Sequence, residues 1–339
     1  MKLKLFASIF AAIMLTPTIT HAKTRLIVNC FWPPKHFVCQ DILPTWLDEV
    51  ERVTEGRVVG NIPPKSVAPP PEQLASVEKG VVDAAVQFNG LIANRVSGPL
   101  VAMQPFVGVS DAEVMSQALW DTSQRFFPDE FDTVQLLSMW VISPGQLFSG
   151  TDTPITTVDE FKNRKMWALP GPLAAMSGSL GAGVVASPAV QSNEVIANGV
   201  VDSHIGLGGD AIASFQVIPY VKSMTKFSRA VYTTSFSFVI NKDKWAEISS
   251  EDQAAIMAVS GAKIGTMAGA KWDDVGDKVF ATFEENGIEI VDVEPSLEQA
   301  MVGAAKPITA KWLADAKAAG IDSQGALDFY KQRLVELSQ

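Results

Sequence analysis

The chain has 339 residues, of which 47% are hydrophobic and 19% are charged, a composition typical of a globular protein rather than a disordered one. Its 27 Lys and Arg residues are outnumbered by 37 Asp and Glu residues, which gives a formal net charge of −10. An acidic surface repels phosphate backbones and the sequence has no basic cluster, so nucleic acid is not expected as a partner.

The first 22 residues have the pattern of a cleavable secretory signal. Lys2 and Lys4 form a basic start, an apolar run follows from 5 to 15, and Thr20-His21-Ala22 resembles a small-residue cleavage site. A membrane-spanning helix needs about 20 apolar residues, and the polar segment 16–21 interrupts this run too early. We therefore expect export from the cytoplasm and cleavage after Ala22.

The chain from residue 23 onward exceeds the roughly 250–300 residues at which one hydrophobic core stops growing, so two domains are expected. Its first part alternates strands with helices. Strands are predicted at 24–29, 57–62 and 81–88, with a helix at 38–54 and a second helix that ends at Gly80. This alternation in so short a segment indicates a parallel α/β sheet.

A second α/β pattern begins near Val134. Strands are predicted at 134–142, 165–169, 200–205, 232–241 and 288–293, and helices at 173–180, 192–198, 245–259, 262–286, 296–319 and 323–338. The two halves have no flexible linker between them. We therefore expect the chain to cross several times between two domains with a ligand cleft between them.

The predicted division into domains follows these patterns. Residues 23–145 form domain I, completed by part of 230–339, and residues 146–235 form domain II. Residues 236–339 supply a crossing strand and the C-terminal helices, which pack on both domains.

The two cysteines, Cys30 and Cys39, are nine positions apart. In an oxidising compartment they could form a disulfide, because Pro33-Pro34 supplies a bend between them. The alternative is a pair of buried free thiols. We favour the disulfide as a local clip.

The sequence shows few signs of catalysis or metal binding. The three histidines form no metal-binding spacing, and there is no G-x-S-x-G nucleophile motif. The glycines near 178–183 and 206–209 match no phosphate-binding loop, so we expect close packing or turns there and no cofactor. His204 with Asp202 or Asp210 is the best acid–base pair available, but a structural role for Asp202 is favoured, and we do not expect an enzyme.

Several aromatic residues lie at or near the ends of predicted strands. Each could simply pack in a core, but as a group they would suit an aromatic-lined pocket. They are Phe31, Trp32, Phe88, Trp140, Trp167 and Phe236.

Three segments in order resemble one protein family. In residues 54–86 a predicted helix ends at Gly-Arg, a strand follows, and a second helix ends at the motif G-x-x-D. Residues 158–203 and 232–245 match two further sequence segments of the same family. Together they resemble the solute-binding proteins of tripartite ATP-independent periplasmic (TRAP) transporters. The resemblance covers almost the whole chain after residue 22.

The resemblance implies a two-domain α/β periplasmic binding protein with a helical C-terminal region, closing around one small solute. It implies a location in the periplasm and delivery of the solute to integral-membrane permease subunits, and we expect a monomer. Presentation of the ligand to a sensor instead of a permease is the alternative that sequence alone leaves open.

One position departs from the family pattern. Where the family has an arginine that forms a two-pronged salt bridge to a carboxylate ligand, this chain has Trp167. An indole face attracts cations by about 0.5–2 kcal/mol, so a small amine or zwitterion is the favoured ligand, with Asp210 or Glu194 as its counter-charge. The alternative is that Trp167 only packs and another cation holds an organic or aromatic acid: Lys35, Arg95 or Arg164.

The residues predicted to contact the ligand combine the strand-end aromatics with nearby polar groups. They are Phe31, Trp32, Lys35, His36, Phe88, Asn89, Trp140, Trp167, Leu169, His204, Asp210 and Phe236.

Overall fold

A computed structural model describes residues 23–339 of the chain, and the predicted secretory signal lies outside these residues. The strands, in chain order, are β1 (Thr24–Asn29), β2 (Val58–Asn61), β3 (Ala84–Phe88), β4 (Val134–Val141), β5 (Gln146–Ser149), β6 (Lys165–Ala168), β7 (Gly183–Ala186), β8 (Ser203–Leu207), β9 (Ser223–Lys226), β10 (Ser235–Asn241) and β11 (Glu289–Asp292).

The helices connect these strands and dominate the C-terminal third. They are α1 (Leu43–Val53), α2 (Gln73–Glu78), α3 (Ala112–Phe126), α4 (Val158–Lys162), α5 (Pro172–Ser179), α6 (Ser192–Ala197), α7 (Gly209–Ser214), α8 (Lys242–Ala246), α9 (Ser250–Ala258), α10 (Gly261–Phe280), α11 (Pro295–Ala318) and α12 (Ser323–Leu337).

The strands form two sheets, with the order β2-β1-β3-β10-β4 in the first and β11-β9-β5-β8-β6-β7 in the second. In the first sheet β1 pairs in parallel with β2 and β3, as the early strand–helix alternation predicts. Strand β10 then enters antiparallel between β3 and β4, and β11 returns to the edge of the second sheet. The chain thus crosses between the sheets repeatedly, and the predicted α/β fold is confirmed. The predicted boundary between residues 145 and 146 falls between β4 and β5, in different sheets; as a division into domains it stays a prediction.

The central strands are mostly apolar or small because both of their faces are covered, with His204 and Gln87 as buried polar exceptions. Strand β8 is buried at every position, and β10 at every position except its last. Three hydrophobic clusters fill the interior, two against the first sheet and one against the second. Within residues 23–339, no helix combines the length and the apolar character needed to span a membrane.

Two features of the helices differ from the sequence prediction. The single helix predicted at 245–259 is two helices, α8 and α9, because the Ser249 hydroxyl accepts a hydrogen bond from the Asp252 amide and so caps the start of α9. Helix α3 was not predicted; it begins where the Asp111 side chain accepts a hydrogen bond from the Val114 amide at 2.8 Å.

Helix α10 connects the two halves of the molecule. It packs against α3 and β4 of the first half and against α7, which follows β8 of the second sheet. At the crossing with α7 the two backbones touch: a Cβ atom added to Gly209 would lie 2.7 Å from the Gly276 carbonyl oxygen and 2.9 Å from its Cα. Both contacts are with backbone, so no side chain can rotate away to make room.

We predict that Gly209→Ala destabilises the protein by about 1–3 kcal/mol, because the added methyl group forces α7 and α10 apart. Gly303→Ala is the matched control: it lies inside α11 with nothing within 4 Å of the added methyl group, so it should be neutral or slightly stabilising. Urea unfolding of both variants measures the difference. If the two substitutions changed the free energy of unfolding equally, the close backbone contact between α7 and α10 would be contradicted.

Candidate ligand-binding site

A cavity lies between the two sheets, at the ends of strands from both. The first half contributes the segment after β1, the end of β3, residues at the start of β10, and α10. The second half contributes the segments after β6 and β7, the end of β8, and α7. Ligands of open α/β sheets bind at the carboxyl ends of parallel strands. The space between protein atoms, counted with the solvent at its mouth, is about 910 Å³.

Four aromatic rings form one wall of the cavity. Phe31 stacks on Trp32 with ring centroids 3.9 Å apart, and Trp32 lies 5.2 Å from Phe236. The ring of Phe236 is nearly parallel to that of Trp272, with centroids 6.2 Å apart. Such a wall offers flat faces and edges to a planar ligand.

The Cys30–Cys39 disulfide, predicted from the sequence, is present, with Cα atoms 5.7 Å apart. It closes the loop that carries Phe31, Trp32 and His36 to the cavity. The loop continues into a short π-helical turn, Val38–Ile42, and then α1.

His36 presents a neutral hydrogen-bond donor to the cavity. Its Nδ1 accepts a hydrogen bond from the Val38 amide at 3.2 Å, so the ring proton of the neutral imidazole is on Nε2. Burial disfavours the charged form and lowers the pKa of His36 to about 3. The ring centroid lies 5.6 Å from that of Trp32 and 6.2 Å from that of Trp272.

Asp210 is the acidic group of the cavity, and only 4% of it is exposed. Its Oδ2 accepts a hydrogen bond from Trp272 Nε1 at 3.1 Å, while Oδ1 has no partner at hydrogen-bond geometry in the described part of the chain. Oδ1 lies beside the cavity-lining Gly208, 3.0 Å from where a Cβ atom would be. Burial raises the pKa of Asp210 to about 6, an effect that the Trp272 hydrogen bond and the backbone amides of Ala211 and Asp210 oppose.

Among residues 23–339, no lysine or arginine lines this cavity. Arg95 pairs with Glu78 at 2.6 Å, and Lys35 is exposed outside the lining. Arg164 is buried but donates to the Thr151 hydroxyl at 2.6 Å and to the Thr153 carbonyl. None of these three cations lies in the cavity lining of this structure, and the alternative that one of them holds an acid stays a prediction.

Seven of the predicted ligand-binding residues line the cavity: Phe31, Trp32, His36, Phe88, Leu169, Asp210 and Phe236. The other five do not: Lys35, Asn89, Trp140, Trp167 and His204. Which residues contact a ligand stays a prediction.

The residues outside the lining have other partners. Trp167 is fully buried within β6, and its Nε1 donates to the Ser187 hydroxyl at 2.8 Å. Asn89 donates to the Ser235 hydroxyl and accepts from the Ser237 hydroxyl. Trp140 packs inside β4 at 6.4 Å from Phe238.

His204 stacks on Phe148 at 4.7 Å inside the second sheet. Neither ring nitrogen has a hydrogen-bond partner among the described residues, and burial lowers the pKa of His204 to about 3. The proposed pairing with a carboxylate is absent, since Asp202 accepts from the Lys165 amide and Asp210 from Trp272. In residues 23–339 no group of His, Cys, Asp and Glu could hold a metal ion.

Among the lining residues that sequence reasoning missed are Thr234, Phe215 and Trp272. Trp272 lies in the middle of α10, where an aromatic residue ordinarily packs in a core. Its position in the cleft depends on how α10 crosses both sheets.

The chain matches the family model for bacterial extracellular solute-binding proteins, family 7, over residues 28–315. It belongs to this family. As the three sequence segments predict, it is a TRAP-type solute-binding protein. The outer membrane transporter protein TsaT of Comamonas testosteroni is 35% identical over 324 residues, which cover 95% of each chain.

Solved structures of family 7 proteins share its fold. A TRAP periplasmic solute-binding protein from Bordetella bronchiseptica, with bound (R)- and (S)-mandelate, is 29% identical at a TM-score of 0.85, covering 93% of this chain and 99% of that one. A marine metagenome TRAP protein specific for aromatic acid ligands is 22% identical at a TM-score of 0.85, covering 94% of this chain and 100% of that one.

We predict that removing the disulfide with Cys30→Ala and Cys39→Ala lowers the free energy of unfolding by about 2–3 kcal/mol, because a short loop regains its freedom in the unfolded chain. Urea unfolding measures this loss. The wild-type protein in reducing agent should show the same loss, and the double variant should not respond to the reductant. If the urea midpoint were unchanged both in the double variant and in the reduced wild-type protein, the disulfide would not stabilise the fold.

We predict that Asp210→Asn stabilises the ligand-free protein at pH 7.5 by about 1–3 kcal/mol. The pKa is raised from 3.8 to about 6, so the folded state holds the proton more tightly than the unfolded chain. The cost of ionising Asp210 is therefore fully present above pH 6 and disappears as the pH falls toward 3.8. Urea unfolding should show the gain at pH 7.5 and little gain at pH 4.

Asp277→Asn is the control for this prediction, since Asp277 is an exposed carboxylate on α10 outside the cavity lining. It should show no comparable gain at pH 7.5. If Asp210→Asn had equal effects at both pH values, the carboxyl group would not titrate as the burial implies.

Proposed function

We propose that this protein captures a monocyclic aromatic carboxylic acid in the periplasm and delivers it to a TRAP-type membrane permease. The observation that carries the proposal is the cavity wall of stacked rings with the neutral donor His36 and no lysine or arginine in the described lining. The mandelate-bound relative, at 29% identity, supports the same class of ligand. The family supplies the transport role.

A carboxylate can be held here without a guanidinium group. His36 Nε2–H and the Thr234 hydroxyl are donors in the lining, and the indole N–H of the lining residue Trp32 is a third. Hydrogen bonds to a charged group contribute about 1.5–3 kcal/mol each, and enclosure by aromatic rings strengthens them by excluding water. The ring of the acid then packs against Phe236 and Trp272.

A small amine or zwitterion is the second candidate. The sequence favours this ligand class because the indole face of Trp167 could attract a cation. In this structure Trp167 is buried outside the cavity lining, so that argument does not apply. Asp210 among aromatic rings still favours a cation, since the rings attract it and the carboxylate can neutralise it. The two candidates respond oppositely to the charge of Asp210, because the ionised carboxylate repels an acid and attracts an amine.

We predict that benzoate or mandelate raises the melting temperature of the mature protein, while benzylamine does not. At a hundredfold excess over Kd the stabilisation should be about 2.7 kcal/mol. Affinity for the acid, measured by isothermal titration calorimetry, should fall at least tenfold between pH 5.5 and pH 8 because ionised Asp210 repels the carboxylate.

His36→Ala should weaken binding of the acid about ten- to hundredfold, because it removes the donor to the carboxylate. Lys35→Ala is the matched control, since Lys35 is on the same loop but outside the lining, and it should change the affinity little. If benzylamine stabilised the protein and the acids did not, and its affinity rose toward pH 8, the ligand class would be an amine and the proposed acid would be wrong. A large effect of Lys35→Ala would contradict a cleft without cations.

A further inference from the structure

Five side chains with a polar nitrogen or oxygen lie in the described lining of the cavity: Trp32, His36, Thr234, Asp210 and Trp272. The Trp272 indole N–H is used by Asp210 Oδ2, and His36 Nδ1 is used by the Val38 amide. Four groups remain: the Trp32 indole N–H, the His36 Nε2–H donor, the Thr234 hydroxyl and the acceptor Asp210 Oδ1. The last two have no hydrogen-bond partner in the described part of the chain.

Burial makes these unmatched groups informative. Asp210 is 4% exposed and Thr234 is 5% exposed, and their free oxygens are shielded from solvent. Buried polar atoms in proteins are almost always hydrogen-bonded, so each exception requires an explanation. Eleven buried side-chain atoms in the described part of the chain are unmatched in this way, and these two are the ones that lie in the cavity lining, where a bound molecule could match both.

A simple aromatic carboxylate matches only part of this set. Its two oxygens accept from His36 Nε2 and Thr234, but it has no donor for Asp210 Oδ1. We propose that Asp210 selects an aromatic acid that carries a hydroxyl group beside its carboxylate, and this inference rests on the proposed function above. The hydroxyl donates to Asp210 Oδ1 while the carboxylate accepts from His36 and Thr234.

The geometry suits one small ligand that makes both contacts. The Trp272 indole donates to Asp210 at 3.1 Å, and its ring centroid lies 6.2 Å from that of His36. The acceptor and the donor therefore flank one indole. An ammonium group fits less well, since it has three N–H donors and the lining offers it one free carboxylate oxygen and the Thr234 hydroxyl.

Three probes of nearly equal shape test this inference: mandelate carries the hydroxyl, phenylacetate lacks it, and phenylglycine carries an ammonium group in its place. Isothermal titration calorimetry with the mature protein should show mandelate binding at least tenfold tighter than phenylacetate, and tighter than phenylglycine. A site that hydrogen-bonds a ligand hydroxyl discriminates strongly against the analogue without it.

Variants at Asp210 locate the discrimination. Asp210→Leu removes the acceptor, and the ratio of the mandelate and phenylacetate affinities should fall to about one. Asp210→Asn keeps the shape and an oxygen for Trp272 but turns the other position into a donor, so phenylacetate should gain affinity and the ratio should fall. Asp277→Asn, on α10 outside the cavity lining, should leave the ratio unchanged. If Asp210→Leu fails to fold, the affinity ratio measured with Asp210→Asn tests the inference instead.

The outcomes separate this inference from the proposed function. Equal wild-type affinities for mandelate and phenylacetate, or an unchanged ratio in Asp210→Asn, overturn the hydroxyl contact and leave acid binding intact. Tighter binding of phenylglycine than of mandelate overturns the hydroxyl in favour of an ammonium group. No binding of either acid overturns the proposed function and this inference with it.

Discussion

The hydrogen bond from the Trp272 indole to Asp210 joins the two halves of the binding site. Trp272 belongs to α10, and its ring packs on the aromatic wall formed by the first half of the chain. Asp210 lies in the first turn of α7, the helix that follows β8 of the second sheet. The close crossing of Gly209 and Gly276 holds these two helices together, so the position of the carboxylate depends on backbone contact as well as on the hydrogen bond.

The same carboxylate sets the electrostatics of the cleft. With no lysine or arginine in the described lining, the charge of Asp210 is opposed only by the dipoles of the Trp272 indole and of nearby backbone amides, and burial therefore raises its pKa. Recognition in such a cleft depends on ring packing and on neutral donors held in fixed positions. A carboxylate bound in this way responds to pH through the protein's own carboxyl group, unlike one paired with an arginine that stays charged.

Much of the fold followed from the sequence, because long strands and helices carry clear periodicity. The missed strands β5, β7 and β9 have four residues each, too few to show alternation. At the site, residues next to strand ends were found because strand ends meet at the sheet edge. Trp167 was misplaced because it lies inside β6, where its indole turns toward Ser187, whereas Leu169, two residues later, reaches the cavity. Trp272 could not be found, since its place depends on the long-range crossing of α10.

The most direct test is a crystal structure of the mature protein with bound mandelate. The account predicts density against Phe236 and Trp272, with the carboxylate within hydrogen-bond distance of His36 Nε2 and the hydroxyl within hydrogen-bond distance of Asp210 Oδ1. A carboxylate paired with a lysine or arginine side chain, or an acid in contact with Trp167 instead of Trp272, would contradict it.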